Sequence, residues 1–207
     1  MLRTPDYWPQ ATRELAVRDA VLRGLIDRFR GLTLGSRGDA FSTLARSIVG
    51  QQISVKAAQS VWDRLSGRLV DVTPASVCNV RTSTLKACGL SGQKALYLRE
   101  LSRKFRDGTL DAAHWDTLDD EGLIVELTSV KGIGRWTAEM FLIFYLTRPD
   151  VLPLADLGLQ RAMRIHYNRG RVLSQQRMRG IGAAWSPWRS VATWYLWRSL
   201  DPIPVEY

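Results

Sequence analysis

The sequence predicts an all-α protein built as a single unit of two helical lobes flanking a groove. Three observations carry that prediction. Apolar residues recur three and four positions apart in segment after segment, the spacing that gathers them on one face of a helix. The every-second-residue alternation of a half-buried strand is nearly absent. Gly, Pro, Ser and Thr clusters separate the periodic segments at intervals that suit about nine or ten helices.

Taken in order, Thr12 to Phe29 sets Leu15, Val17, Val21, Leu22, Leu25, Ile26 and Phe29 at helical intervals and is expected to be one helix. The Gly-containing run from Gly31 to Asp39 ends it as a loop. Helices are then expected over Ala40 to Val49, Ser54 to Leu65, Ser83 to Ala87, Gln93 to Phe105 and Asp119 to Leu127. Thr137 to Leu146 (TAEMFLIFYL) is apolar on every side except at Glu139, which marks a central helix buried on most of its circumference. A further helix should run from Asp156 to about His166. A last, Trp-rich one should run from Pro187 to Leu200, where Pro202 and Pro204 stop it.

Composition narrows the function classes. The 207 residues carry 29 Lys and Arg against 20 Asp and Glu, a formal charge of +9 that suits a polyanionic partner. The excess is uneven: between residues 157 and 200 stand Arg161, Arg164, Arg169, Arg171, Arg177, Arg179, Arg189 and Arg198 with no acid among them. That stretch is a candidate phosphate-binding face, with a solvated basic surface as its alternative. Two cysteines, Cys78 and Cys88, are too few for a disulfide framework, and neither they nor His114 and His166 have the neighbours a metal site needs. No apolar run is long enough to span a membrane and the N-terminus has no apolar signal region. A cytoplasmic, nucleoid-associated monomer is therefore expected.

The most informative segment is Leu127 to Met140, LTSVKGIGRWTAEM. Two helices joined by Lys131-Gly132-Ile133-Gly134 turn this tightly only if the hairpin reaches backbone conformations that a Cβ would hinder, which Gly132 and Gly134 permit. Such a turn presents backbone N–H groups at the start of the second helix, and these can hold a phosphate irrespective of sequence. Lys131, Gly132, Ile133, Gly134, Arg135 and Thr137 are accordingly the candidate DNA-binding residues. The loop Arg148-Pro149-Asp150-Val151-Leu152-Pro153-Leu154-Ala155 follows the buried helix and delivers Asp156, 22 positions after Gly134. Read alone, an Asp ahead of a helical run is an N-cap.

Hairpin, buried helix, Gly/Pro-rich loop and aspartate resemble, in order and spacing, the helix-hairpin-helix DNA glycosylase superfamily. Within it, Ile48-Val49-Gly50-Gln51-Gln52-Ile53-Ser54 and the segment WSPWRSVATWYLW from Trp185 to Trp197 are similar to the DNA-3-methyladenine glycosylase II family. The resemblance spans roughly residues 40 to 200 and implies a DNA repair enzyme that flips an alkylated purine out of damaged double-stranded DNA and hydrolyses its glycosidic bond. Asp156 takes the position of the catalytic carboxylate, and Trp136, Met140 and Trp197 take the positions of the base pocket. Met140 departs from the family's frequent Tyr, and Arg198 stands where an aromatic can occur.

The chemistry agrees with the residue types. A developing oxocarbenium sugar needs a nearby carboxylate, an extruded base needs aromatic walls, and a cationic alkylated purine is attracted to indole faces, of which this chain has eight. Bifunctional relatives place a Schiff-base Lys where this chain has Trp136, so strand cleavage is not expected. The cluster cysteines of iron–sulfur relatives are missing after Cys88, so no cluster is expected. Gln52 or Ile53 is the candidate wedge that fills the hole left by flipping. The hairpin carbonyls resemble those that hold a monovalent cation in the family. Two alternatives stay open at this point: a non-catalytic helix-hairpin-helix DNA-binding module, and a glycosylase of the same superfamily for oxidised or mismatched bases.

Overall fold

The computed structural model of the chain describes residues 4–36 and 38–200, and among them there is no β-strand. Twelve α-helices and one 3-10 turn occur among the described residues. The first two are α1 (Trp8–Arg18) and α2 (Ala20–Arg28), where the periodicity suggests a single helix. The break is Asp19, which adopts extended backbone and accepts from the amides of Val21 and Leu22 as the cap of α2. Its other oxygen accepts from Tyr167 Oη at 2.8 Å and Trp185 Nε1 at 3.1 Å. A mid-pattern Asp with two aromatic donors, one of them the fully buried Trp185, outweighs the continuity of the apolar stripe.

Next come α3 (Ala40–Gly50), α4 (Val55–Leu69), α5 (Pro74–Asn79), α6 (Thr82–Ala87), α7 (Gly92–Arg106), a 3-10 turn over Ala112–Thr117, α8 (Asp120–Thr128) and α9 (Arg135–Phe144). The chain finishes with α10 (Leu157–Asn168), α11 (Gln175–Ala183) and α12 (Arg189–Leu200). Side-chain caps at Asp39, Ser54, Ser91, Asp119 and Ser174 satisfy first-turn amides and explain where most of these helices begin. α5 and α11 were not expected from periodicity; each is short, and each opens on a Thr or Ser cap, with a reciprocal capping box at Thr73 and Ser76 for α5. The stops expected at Pro202 and Pro204 lie outside the described residues.

The chain divides into two compact units, one built from Gly38–Phe141 and the other from the chain on either side of it. In the first, α7 packs on α3, α5 and α6. Leu44, Ile48, Leu65, Leu85, Leu98, Leu101 and Leu123 are fully buried there. Edge-to-face contacts run from Phe41 to Phe105, Phe105 to Trp115 and Trp115 to Phe141, with centroids 5.5, 6.0 and 5.4 Å apart. In the second unit, α12 packs on α1, α2 and α10, and Trp8 meets Trp194 edge-on at 5.2 Å. No helix among the described residues is long and apolar enough to cross a membrane.

Candidate active site

Asp156 caps α10, its Oδ1 accepting from the amide of Leu159 at 2.6 Å. The same oxygen accepts from Trp197 Nε1 at 2.8 Å. The indole of Trp197 is itself fixed, stacked on Phe144 with centroids 5.5 Å apart and planes 13° from parallel. Two directional donors on one oxygen hold the carboxylate in one orientation. Asp156 is thus the N-cap of the bare reading, half-buried at the start of α10.

The loop that delivers Asp156 is tied to the start of α12. Ser190 is fully buried; its hydroxyl donates to the Arg148 carbonyl at 2.6 Å and accepts from the Val151 amide at 2.9 Å. Asp150 accepts from the Arg189 amide and from its guanidinium at 2.7 and 2.9 Å. Asp150 therefore serves as an N-cap supplied by a distant loop, and the loop is positioned by a helix end rather than by its own sequence.

Sequence reasoning missed Gly158, whose importance appears only in three dimensions. A Cβ on Gly158 would sit 3.0 Å from Asp156 Oδ1 and 3.2 Å from Trp197 Cδ1. Any larger residue would push the indole away from the carboxylate. The signal available in the sequence was a Gly two positions after the aspartate, in a first helical turn where Gly is otherwise unfavourable.

In the other unit the hairpin forms as expected, with Gly132 at φ +91°. The first-turn amides of α9, which begins at Arg135, point out of the helix's N-terminal end. Three of the candidate DNA-binding residues have side chains that are buried or already paired. The Ile133 side chain is buried and its amide donates to the Val130 carbonyl at 3.0 Å, so it closes the turn rather than facing outward. Thr137 is likewise buried. Arg135 is engaged by carboxylates, pairing with both Glu121 oxygens and with Glu139 at 3.0 Å, and these partners raise its already high pKa, Glu121 foremost. Lys131 and Gly134 are exposed, and Gly132 is half-buried.

The Gln51-Gln52-Ile53 turn shares this unit and meets the hairpin directly. Gln51 Nε2 donates to the Gly132 carbonyl at 2.6 Å. Gln52 is exposed in the left-handed region at φ 58°, and Ile53 is 40% exposed, so both wedge candidates stand at the surface. One face of α7 holds both features. Lys94 Nζ donates to the carbonyls of Val49 and Gln51 at 2.8 and 2.6 Å, with its pKa lowered by burial. The Tyr97 ring lies against Gly132, where a Cβ would overlap it. Glu100 accepts from the Lys131 amide at 3.3 Å.

Of the pocket candidates, Trp136 is 39% exposed on the first turn of α9, and Met140, one turn on, is buried. Trp197 is half-buried and spends its N–H on Asp156, so its indole is a positioning group as well as an apolar face. Arg198 is a core residue, buried with its guanidinium over Trp194 at 5.4 Å and Phe29 at 6.0 Å. Cys78 and Cys88 are both thiols.

The profile of the HhH-GPD superfamily of base excision DNA repair proteins matches residues 45–187. DNA-3-methyladenine glycosylase 1 of Schizosaccharomyces pombe is 30% identical over 84% of this chain and 78% of its own length. The crystal structure of a DNA-3-methyladenine glycosidase from Bacillus halodurans superposes with a TM-score of 0.86 at 31% identity, covering 97% of this chain and 93% of that one. A 3-methyladenine DNA glycosylase of S. pombe in complex with abasic DNA superposes with a TM-score of 0.79 at 27% identity, covering 96% of this chain and 98% of that one.

Proposed function

The chain belongs to the HhH-GPD superfamily of base excision DNA repair proteins, and from that premise we propose that it is a monofunctional DNA glycosylase that releases alkylated purines of the 3-methyladenine and 7-methylguanine type. One observation carries the assignment of the catalytic group: Asp156 Oδ1 is held by Trp197 Nε1 and the Leu159 amide, on a loop locked to α12. A carboxylate whose geometry is set in advance stabilises positive charge without reorganising when that charge develops.

In the proposed reaction the bond between C1′ and the purine nitrogen breaks with its electron pair going to the base. An alkylated purine is cationic, so it departs neutral. The Asp156 carboxylate faces the sugar cation, water adds its oxygen to C1′, and the displaced proton passes through the carboxylate to solvent. Trp136 supplies an electron-rich face for the cationic base, an attraction of about 0.5 to 2 kcal/mol. No amine occupies the Trp136 position, which favours hydrolysis without strand cleavage.

The substrate we assign is damaged double-stranded DNA, gripped by hairpin amides and probed by Gln52 or Ile53, with the protein acting as a monomer at the nucleoid in the cytoplasm. For a monovalent cation at the hairpin, the Val130 and Gly132 carbonyls would be the ligands. Each already accepts one hydrogen bond, from the Ile133 amide and Gln51 Nε2 respectively, and keeps a second lone pair. Such an ion would add positive charge beside a phosphate.

The test is single-turnover base release from methylated duplex, with freed bases identified by mass, beside duplex binding. Asp156→Asn should keep affinity and lose at least about a hundredfold in rate, since removing such stabilisation costs about 2.7 kcal/mol or more. A variant retaining more than a tenth of the wild-type rate would remove Asp156 from this role. Tight binding with no base release by the wild-type chain would favour the non-catalytic module.

A further inference from the structure

The acid-free stretch after Asp156 folds into a row of arginines that no part of the site above uses. Arg161 and Arg164 are exposed on α10, Arg169 caps its C-terminus in the left-handed region, and Arg171 follows in the exposed turn. Among the described residues none of the four has an ion-pair partner, whereas Arg18, Arg30, Arg135 and Arg189 do. Leu157, Arg161 and Arg164 fall at helical intervals of four and three, on one exposed side of α10. That side begins beside Asp156, the helix cap.

We propose that this row is a second DNA contact, a track for the phosphates of the strand leading away from the extruded nucleotide. The inference rests on the glycosylase reading and adds to it where the flanking duplex runs. At 1.5 Å per residue, Arg161 and Arg164 stand about 7 and 12 Å along the axis from Asp156, and Arg169 and Arg171 extend the row past the helix end. One strand presents a phosphate about every 3.4 Å of duplex axis, so several lie within reach. Four unpaired guanidinium groups lose no internal ion pair when they meet phosphate. Their planar donor forks suit its oxygens, and the exposed side chains can follow a backbone without reading bases.

The experiment measures duplex affinity against salt for Arg161→Gln/Arg164→Gln and for a quadruple variant adding Arg169→Asn and Arg171→Gln. Asn at 169 tolerates the left-handed cap. The control is Arg103→Gln/Arg106→Gln, the same charge change on α7. Each lost phosphate contact should lower the slope of log affinity on log salt by about 0.9, giving about 2 for the double and about 3.5 for the quadruple variant. Single-turnover base release at saturating enzyme should stay at the wild-type rate. The proposal is overturned if the slope changes by less than about 0.5, if the control pair changes it equally, or if base release at saturation falls. Base release by the wild-type chain is scored separately, so failure of the track and failure of the glycosylase reading are told apart.

Discussion

Gly158→Ala should raise local helix propensity and still cripple the enzyme. Alanine in a helix is favoured over glycine by up to about 1 kcal/mol, which on its own would stabilise α10. The new methyl would lie 3.0 Å from Asp156 Oδ1 and 3.2 Å from the Trp197 ring, so one of them must yield. The Asp156 side is held by the Leu159 amide, and the indole is backed by Phe144; a shift of a few tenths of an ångström lengthens or breaks the 2.8 Å bond between them. A hydrogen bond to a charged group is worth about 1.5 to 3 kcal/mol. At about 1.4 kcal/mol per tenfold, excision should fall about 10- to 150-fold, while the strain offsets the propensity gain and leaves thermal stability close to wild type. Trp197→Phe, which removes the N–H and keeps an aromatic ring, should cost a similar factor. The double variant should be no worse than the poorer single, because both act on one bond. Single-turnover excision and thermal melting of the three variants test this. A Gly158→Ala enzyme within threefold of wild type, or a double variant with multiplied losses, would refute the idea that glycine is there to admit the indole.

Three further outcomes are expected. With Trp136 in the place of a Schiff-base amine, borohydride should trap no covalent complex and the product strand should stay intact until alkali or heat is applied; a trapped adduct on a denaturing gel would end the monofunctional assignment. Gly132→Ala should lower stability and weaken binding to undamaged duplex together, because alanine at φ +91° is strained by about 1 to 3 kcal/mol and its methyl would overlap Tyr97; unchanged binding would show that the hairpin is not the grip. His166, hydrogen-bonded to Ser199, has its pKa lowered by burial and then by Arg28, so the unfolded chain takes up its proton first and stability should decline as pH falls through about 6.5. His166→Gln should flatten that decline in urea titrations between pH 7.5 and 5, and an unchanged slope would exclude this residue as its source.

What the sequence made legible was whatever is encoded locally. The hairpin is legible because two glycines three and five residues ahead of a buried run have few other uses, and α9 is legible because TAEMFLIFYL has no polar face to misassign. Asp156 stood out only through the resemblance to a family in which an aspartate follows the hairpin and loop; without it the residue reads as a helix cap. What stayed hidden depends on partners far along the chain. Asp19 looks like a surface residue on a helix until Tyr167 and Trp185 reach it, and the break between α1 and α2 follows from them. Ser190 and Asp150 are ordinary loop and cap residues in the sequence; only the meeting of Ser190 with Val151 and of Arg189 with Asp150, about 40 positions apart along the chain, fixes the loop before Asp156. Arg135 reads as a free cation beside the hairpin, and nothing in the sequence signals that Glu121 and Glu139 pair with it.

The face of α7 that carries Lys94, Tyr97 and Glu100 acts as a ruler. Because a single stiff helix sets the separation of the Gln51–Gln52–Ile53 turn and the hairpin, the length of chain between them carries little of that information. Residues could be added or removed in the connections among α4, α5 and α6 while the spacing stays the same. A single residue inserted between Lys94 and Glu100 would instead rotate everything beyond it by about 100°, so that one of the two holds must let go of its target.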